Sequence, residues 1–283
     1  MIDGITVFGA GVMGSGIATL VTGHGIPVHL VDPDATALDR AGTLVAQQQR
    51  HGQLLGSFPG DTTFGDLTTA ESTDGRIESA IVVEAITENT DLKRALLTEV
   101  SSVIADEALL ISNTSSIPID ELATAVTRPG QLVGIHFMNP PYLIKTFEVV
   151  RGRQTGEAAM TAVTALLDRL GRRSVVVRDS PGFVTSRLLH PMINSAARLV
   201  GTGVATAAEV DALMQGCLGH PTGPLRTADL IGLDNLVDSL IVLAERLDDN
   251  SYRPCEALLE KVRRGELGQK TGAGFYTYDG MAT

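Results

Sequence analysis

ITVFGAGVMGSGI, residues 5–17, begins with a short apolar run and continues directly into glycines at positions 9, 11 and 14. The run Ile5–Phe8 is typical of a buried β-strand, and the G-x-G-x-x-G spacing behind it is typical of a turn into a dinucleotide-binding helix. In such a turn the first glycine allows the tight bend, the second lets a pyrophosphate approach the backbone, and the third lets the helix pack closely on the sheet. The candidate cofactor-binding residues are Gly9, Gly11, Val12, Met13 and Gly14.

A glycine-rich turn by itself can also be an ordinary connection between a strand and a helix. Here a second strand-like run, residues 27–31, is followed by Asp32, which lies 18 residues after Gly14. A carboxylate in this place accepts hydrogen bonds from a ribose diol. Because no Arg or Lys follows before Arg40, and because Asp32 would repel a 2′-phosphate, we predict NAD rather than NADP as the cofactor.

The composition of the 283-residue chain limits the classes of function. A net charge of −11 argues against a protein that binds nucleic acid or an anionic membrane surface. Two cysteines, Cys217 and Cys255, provide neither a disulfide framework nor the spacing of a metal site. The sequence shows no basic leader and no apolar run of the length that a membrane span needs. We therefore expect a cytoplasmic protein with no metal, no nucleic-acid partner and no membrane association.

Apolar strands alternate with helical patterns up to about residue 178. This alternation predicts an α/β fold with a Rossmann-type, doubly wound and mostly parallel sheet. The polar stretch 52–73 breaks the alternation and is predicted to include an excursion from the sheet. The predicted strands are Ile5–Phe8, Val28–Val31, Ala80–Glu84, Leu109–Ser112, Leu132–His136, Phe147–Val150 and Ser174–Arg178.

From Asp179 onward the pattern predicts helices only, which indicates a smaller all-α domain. We therefore divide the chain into an NAD-binding domain of residues 1–178 and a helical domain of residues 179–283. The predicted helices of the second domain are Phe183–Val200, Ala207–Gly216, Leu233–Leu247 and Tyr252–Arg264.

The segment GIHFMNPPYLIKTFEVV, residues 134–150, holds the strongest catalytic candidates. His136 ends an apolar strand, and Glu148 follows 12 residues later inside another. A histidine accepts protons at neutral pH, and a carboxylate partner fixes its tautomer and raises its basicity. From residue types alone, His136 could equally be a satisfied core histidine and Glu148 a solvated acid at a strand end. Asn139 and the two prolines after it favour the catalytic interpretation, because they stiffen a loop where doubly wound sheets bind ligands.

Two further clusters follow predicted strands. Residues 112–116, SNTSS, place four hydroxyls and an amide where they can contact a nicotinamide amide, a substrate hydroxyl or a thioester carbonyl. The alternative is a helix N-cap formed by Ser116 ahead of Pro118. In the segment IVVEAITENTDLKRALL, residues 81–97, Glu84 and Glu88 follow a strand and Lys93 lies in the next helix, which is also consistent with a solvated charged face.

These motifs resemble those of the 3-hydroxyacyl-CoA dehydrogenase family, which includes bacterial 3-hydroxybutyryl-CoA dehydrogenases. The resemblance runs from Ile5 to Tyr278, with the family's segments in order. The segments are Gly9–Gly14, Val83–Ala85, Ser112–Ser116, His136–Phe137 with Asn139–Pro140, Asp179 with Pro181–Phe183, Gly223–Pro224 with Asp229 and Gly232–Asp234, and Gly272–Tyr276.

The resemblance implies an NAD-dependent oxidoreductase that interconverts a 3-hydroxyacyl thioester and its 3-oxoacyl form. It implies that His136 and Glu148 are the catalytic pair and that Ser115 and Asn139 lie beside the reacting hydroxyl and the nicotinamide. Glu88 and Lys93 are implied on the ribose and amide side of the cofactor. The helical domain is implied to close over the substrate and to form a homodimer.

Three departures from the family pattern concern the substrate. Ser186 stands where an active-site Asn is expected, and residues 47–51, QQQRH, are nearly neutral where family members that bind free CoA carry lysines. Arg50 is the one sure charge in that segment, and Met138, Pro141 and Tyr142 alter the substrate loop. Ser186 and the missing lysines favour an alternative in which the same chemistry acts on an acyl-carrier-protein thioester, such as a glyceryl-type group in polyketide extender-unit biosynthesis. A third possibility is a non-catalytic, crystallin-like protein that binds NAD.

Overall fold

The computed structural model describes residues 3–73 and 75–278. The chain forms two compact units that divide between Ser180 and Pro181, beside the predicted boundary after residue 178. Each unit has a hydrophobic core of its own. Among the described residues, every helix is too short or too polar to cross a lipid bilayer.

Within the described residues, the first unit is built on an eight-stranded sheet. The strands are β1 (Ile5–Phe8), β2 (Val28–Val31), β3 (Leu67–Ala70), β4 (Ile81–Glu84), β5 (Leu109–Ser112), β6 (Leu132–His136), β7 (Thr146–Arg151) and β8 (Arg173–Arg178). Their order across the sheet is β3-β2-β1-β4-β5-β6-β7-β8, and only the β6–β7 pair is antiparallel. This confirms the prediction of a doubly wound, mostly parallel sheet.

The apolar runs of the sequence lie in the middle of this sheet. Every residue of β1, β4, β5 and β6 is buried, because helices cover both faces of a parallel sheet. The helices of this unit are α1 (Val12–Thr22), α2 (Ala35–Leu54), α3 (Thr90–Val103), α4 (Ile119–Leu122) and α5 (Glu157–Arg169).

The prediction for the polar stretch 52–73 was partly wrong. Residues 67–70 form β3, which pairs in parallel with β2 at one edge of the sheet. Thr68 and Thr69 are exposed and their strand neighbours are half-buried, so the segment lacks the apolar pattern by which the other strands were found. Threonine still favours extended backbone, which suits an edge strand.

The second unit is mainly helical, as predicted. Its helices are α6 (Thr185–Gly201), α7 (Ala207–Leu218), α8 (Pro224–Ile231), α9 (Leu233–Leu247) and α10 (Glu256–Arg263). Helix α6 begins two residues later than predicted, because Gly182 and Phe183 have φ values of +68° and +49° and cannot continue a right-handed helix. Helix α10 begins at Glu256 rather than at Tyr252, which belongs to a separate 3₁₀ turn ahead of Pro254. The short helix α8 was not predicted.

Candidate active site

The turn between β1 and α1 requires glycine for two different reasons. Gly9 has a φ of +103°, and a Cβ on it would lie 2.6 Å from the carbonyl oxygen of Ala85 on the neighbouring strand segment. A Cβ on Gly14 would lie 1.7 Å from the carbonyl oxygen of Gly9, so the helix could not stay this close to the strand end. These contacts exclude any larger side chain at either position.

Gly11 differs from the other two glycines. No atom of the described residues lies within 4 Å of a Cβ built on Gly11, so packing does not explain a glycine there. The open space lies at the N-terminus of α1, where the first-turn N–H groups of Val12 and Met13 have no partner within the helix. Such a terminus attracts anions, so the turn fits the pyrophosphate of a dinucleotide.

Asp32 lies beside this turn, at the carboxyl end of β2. Its Oδ2 accepts a hydrogen bond from the N–H of Ala10 at 2.7 Å, and its Oδ1 accepts one from the N–H of Asp34 at 2.9 Å. Each carboxylate oxygen has two lone pairs, so both can accept a further hydrogen bond. The carboxylate is therefore fixed next to the turn with capacity left for a diol.

Lys93 forms a charge cluster with the buried Glu84 and the half-buried Glu88. Its side chain is 1% exposed, and its Nζ lies 2.6 Å from Oε1 of Glu84 and 3.3 Å from Oε2 of Glu88. Glu84 also accepts a hydrogen bond from the hydroxyl of Ser112 at 2.6 Å. Burial alone would lower the pKa of Lys93, but the two carboxylates outweigh burial and raise the pKa. The solvated face considered for these residues is therefore wrong.

The other oxygen of Glu88 accepts hydrogen bonds from the polar residues that follow β5. Its Oε1 accepts hydrogen bonds from the hydroxyl of Thr114 at 2.6 Å and from the N–H groups of Ser115 and Ser116, both at 2.9 Å. Burial alone would raise the pKa of Glu88, but Lys93 and these donors overcome that effect and lower it to about 2. Glu88 is thus a carboxylate at neutral pH and holds the segment after β5 in place.

The N-cap interpretation of Ser116 was wrong. Its N–H and hydroxyl both point to Glu88, and the short helix α4 begins at Ile119, after Pro118. The first N–H groups of α4 donate instead to the carboxylate of Asp179 at 3.0 and 2.7 Å. Sequence reasoning missed this role of Asp179, because 60 residues separate it from the helix that it caps.

His136 and Glu148 form a direct pair across the antiparallel strands β6 and β7. They are opposite each other in the register, and His136 Nδ1 lies 3.2 Å from Glu148 Oε2. Each residue is 7% exposed, so the pair is shielded from water. The loop after β6 is tied to β5 by the N–H of Phe137, which donates to Oδ1 of Asn113 at 3.0 Å. Asn139 is half-buried in this loop and precedes Pro140 through a cis peptide bond.

The parallel strands β1, β4, β5 and β6 are neighbours and end at the same edge of the sheet. This edge brings together the glycine turn, Glu88, Ser115 and His136, four parts of the predicted site. The two predicted substrate residues belong to helices. Arg50 is exposed on α2, and Ser186 is buried in the first turn of α6, in the second unit. Among the described residues, no cluster of His, Cys, Asp or Glu is arranged to hold a metal ion.

Comparison with known protein families agrees with this arrangement. The family model "3-hydroxyacyl-CoA dehydrogenase, NAD binding domain" matches residues 4–180, and the model of the C-terminal domain of the same family matches residues 182–278. The chain belongs to the 3-hydroxyacyl-CoA dehydrogenase family. It is therefore an oxidoreductase with NAD as its cofactor, which decides against the non-catalytic alternative.

Full-length relatives carry related names. A probable 3-hydroxybutyryl-CoA dehydrogenase of Deinococcus radiodurans is 39% identical over 276 residues, covering 96% of this chain and 99% of the relative. A 3-hydroxybutyryl-CoA dehydrogenase of Bradyrhizobium diazoefficiens is 37% identical and covers 99% of this chain and 97% of its own. The crystal structure of (S)-3-hydroxybutyryl-CoA dehydrogenase from Ralstonia eutropha is similar with a TM-score of 0.84 and 36% identity, covering 99% and 100% of the two chains.

Proposed function

We propose that this family member oxidises a 3-hydroxyacyl thioester to its 3-oxoacyl form with NAD, and reduces it in the reverse direction. The observation that carries the proposal is the shielded His136–Glu148 pair at the ligand-binding edge of the sheet. The names of the relatives favour 3-hydroxybutyryl-CoA as the first substrate to test.

His136 acts as the proton acceptor. With Nδ1 directed at Glu148, Nε2 is the atom that takes the proton of the substrate hydroxyl. Glu148 fixes this tautomer and stabilises the imidazolium that forms. Bound NAD supplies the acceptor for the hydride that leaves the carbinol carbon. Ser115 and Asn139 orient the reacting hydroxyl and the nicotinamide.

The cofactor is held by residues that the sheet brings to one edge. Gly11 and the first turn of α1 would bind the pyrophosphate, and Asp32 would bind the adenine ribose. Glu88, kept ionised by Lys93 and by residues 114–116, would hold the ribose and amide side of the cofactor.

The test of the proposed function is direct. The unmodified protein, supplied with NAD and 3-hydroxybutyryl-CoA, is expected to form NADH, which is followed by its absorbance. Carrier-bound 3-hydroxybutyryl and glyceryl groups are assayed in parallel. Absence of NADH formation with every one of these thioesters would reject the proposal.

The choice of cofactor gives a first prediction. The unmodified protein is expected to use NAD far more efficiently than NADP, because Asp32 would face a 2′-phosphate at close range. Asp32→Ala is expected to lower the affinity for NAD roughly tenfold or more, since a hydrogen bond to a charged group is lost, and so to narrow the preference. The measurement is kcat/KM with each cofactor. Asp39→Ala, which removes an exposed charge on α2, is the control and should leave the ratio unchanged. Equal efficiency with both cofactors in the unmodified protein would contradict the assignment.

A second candidate substrate is a carrier-protein thioester, and α2 provides the observation that favours it. Gln48 Oε1 accepts a hydrogen bond from Thr19 at 2.8 Å, and Gln49 Nε2 donates one to Thr22 at 2.9 Å. Both side chains are therefore directed at α1 and are not available to bind a phosphate. Arg50 is the one sure cation among residues 47–51 that could do so. The pantetheine arm of a carrier protein has no adenosine 3′-phosphate and needs no such grip.

This candidate gives a second prediction. Carrier-bound substrates are expected to exceed CoA thioesters in kcat/KM by about tenfold or more, which corresponds to roughly 1.4 kcal/mol of transition-state binding. The two forms of the same acyl group are compared under identical conditions. A micromolar KM for 3-hydroxybutyryl-CoA with efficient turnover would reject the carrier candidate and leave the CoA thioester as the substrate.

We also propose that the helical unit forms a homodimer. Leu188 and Leu199 are 70% and 44% exposed and lie 11 residues apart, on one side of α6. Leu188→Asp is expected to convert the dimer to a monomer, as measured by sedimentation velocity, because it puts a charge into an apolar interface. Val175→Asp replaces a comparably exposed apolar side chain of the first unit and serves as the control. A monomeric unmodified protein, or a dimeric Leu188→Asp variant, would contradict the proposal.

A further inference from the structure

The loop after His136 packs against the helix that begins at the glycine turn. Gly16 lies in α1, and a Cβ on it would stand 2.7 Å from Cδ and 3.1 Å from Cγ of Pro141. A Cβ does not approach another carbon this closely, and a proline ring cannot rotate out of the way. Only glycine at position 16 therefore allows the loop to lie where it does, with Asn139 two residues before the contact.

Tyr142 provides the second attachment of the same loop. It is 4% exposed, and its hydroxyl lies 3.0 Å from Nδ1 of His51, in the last turn of α2. The carbonyl oxygen of Tyr142 accepts a hydrogen bond from Nη2 of the buried Arg172 at 3.0 Å. The ring of Tyr142 also packs against Gly52, where a Cβ would stand 3.1 Å from Cδ2 of Tyr142. The loop is thus held by α1, by α2 and by the segment that leads into β8.

We propose that Gly16 and Tyr142 are positioning residues for the reaction. Gly16 allows the close approach of α1 to the loop. Tyr142 restricts the movement of the loop through its bonds to His51 and Arg172. Because α1 begins at the glycine turn, the two contacts place Asn139 and the end of β6 relative to a cofactor bound at that turn. The proposal rests on the proposed function, since it assumes that His136 and Asn139 act on the substrate.

A displaced loop has a specific kinetic consequence. Reacting groups must be held within a fraction of an ångström, and a shift of about 1 Å can reduce the rate by roughly 100-fold. The contact with Pro141 is made by α1 after the glycine turn, at Gly16, whereas Asp32 is held by the N–H groups of Ala10 and Asp34. A change at Gly16 is therefore expected to reduce kcat and to leave the affinity for NAD unaffected.

The test uses Gly16→Ala, with Gly42→Ala as the matched control. Both positions are helical glycines, but no atom of the described residues lies within 4 Å of a Cβ on Gly42. Gly16→Ala is expected to lower kcat by roughly 10- to 100-fold with an unchanged dissociation constant for NAD, while Gly42→Ala retains full activity. Adding Pro141→Ala removes the ring from the contact, so the double variant should recover to within about threefold of Pro141→Ala alone.

A second variant tests the other attachment. Tyr142→Phe keeps the ring and loses the bond to His51, whereas Tyr142→Leu loses both the bond and the ring contact. We expect a fall in kcat that is larger for the Leu variant than for the Phe variant. A Tyr142→Leu variant as active as the unmodified protein would overturn the role of Tyr142.

Hydrogen exchange of the backbone N–H groups of residues 137–145 measures how well the loop is held, and it needs no enzyme turnover. In Gly16→Ala, and not in Gly42→Ala, the N–H groups of Phe137 and Leu143 should exchange faster, because each is protected by a bond within or from this loop. Unchanged exchange, unchanged kcat or a double variant that does not recover would each overturn the role of Gly16. If the unmodified protein oxidises no thioester, the proposed function fails, while the exchange experiment still decides whether Gly16 sets the loop.

Discussion

Replacing His136 with Gln is expected to lower kcat by roughly 10²–10⁴-fold, the usual contribution of a positioned acid–base group, while the affinity for NAD changes little. Gln has the size and polarity to occupy the site but cannot accept a proton at neutral pH. Glu148→Gln should also lower kcat, because Glu148 Oε2 lies 3.2 Å from His136 Nδ1 and influences the reaction through the imidazole ring. The measurement is steady-state kinetics with the best thioester, together with the dissociation constant of NAD.

The double variant distinguishes a pair from two independent residues. Since His136 and Glu148 form one unit, His136→Gln with Glu148→Gln should lose much less than the product of the two single losses. His29→Gln is the control, because His29 also bonds through Nδ1 to a neighbouring strand, at 2.9 Å from Thr68, but lies inside β2. Losses that multiply fully would show that the two residues act independently and would reject the pair as a unit.

The sequence predicted the sheet well because its central strands are buried on both faces. Such strands are short apolar runs, and the glycine spacing after β1 identifies the first of them. Strand β3 lies at an edge and has two exposed threonines, so no apolar run marks it. Helix α8 has only eight residues between Gly223 and Gly232, too few for a helical period to be recognised.

The candidate site was predictable where one strand pairing determines the geometry. The 12-residue spacing of His136 and Glu148 fits a hairpin, and the antiparallel register of β6 and β7 places the two side chains opposite each other. Contacts between distant segments were not predictable. A lysine in the amphipathic pattern of α3 is expected in solvent, and only the sheet reveals that Lys93 lies beneath the ends of β4 and β5. The contact of Gly16 with Pro141 spans 125 residues and has no local signal.

Replacing Lys93 with Met is expected to destabilise the first unit by roughly 3–5 kcal/mol at pH 7. Met has a similar length, but it leaves Glu84 and Glu88 without the ammonium that lies 2.6 and 3.3 Å from them, and breaking a buried ion pair typically costs this much. Lys270→Met is the matched control, because Lys270 Nζ also lies 2.6 Å from a carboxylate, that of Asp234, but the pair is about one-third exposed. Its loss should cost about 1 kcal/mol or less. Urea unfolding measures both variants.

The pH dependence of the unfolding free energy shows whether Lys93→Met destabilises the protein by loss of the ion pair or by loss of packing. The pKa of Glu88 is lowered to about 2 in the folded protein, so its ionised form stabilises the fold above the pKa of the unfolded chain. That contribution declines as the pH falls from about 5 towards 2. In Lys93→Met, burial of Glu88 is no longer opposed by the ammonium, so its pKa rises and less stability is left to lose. The difference in unfolding free energy between the unmodified protein and Lys93→Met should therefore narrow from pH 7 to about 3.5. A difference that stays constant over this range would show that Lys93 contributes packing rather than charge.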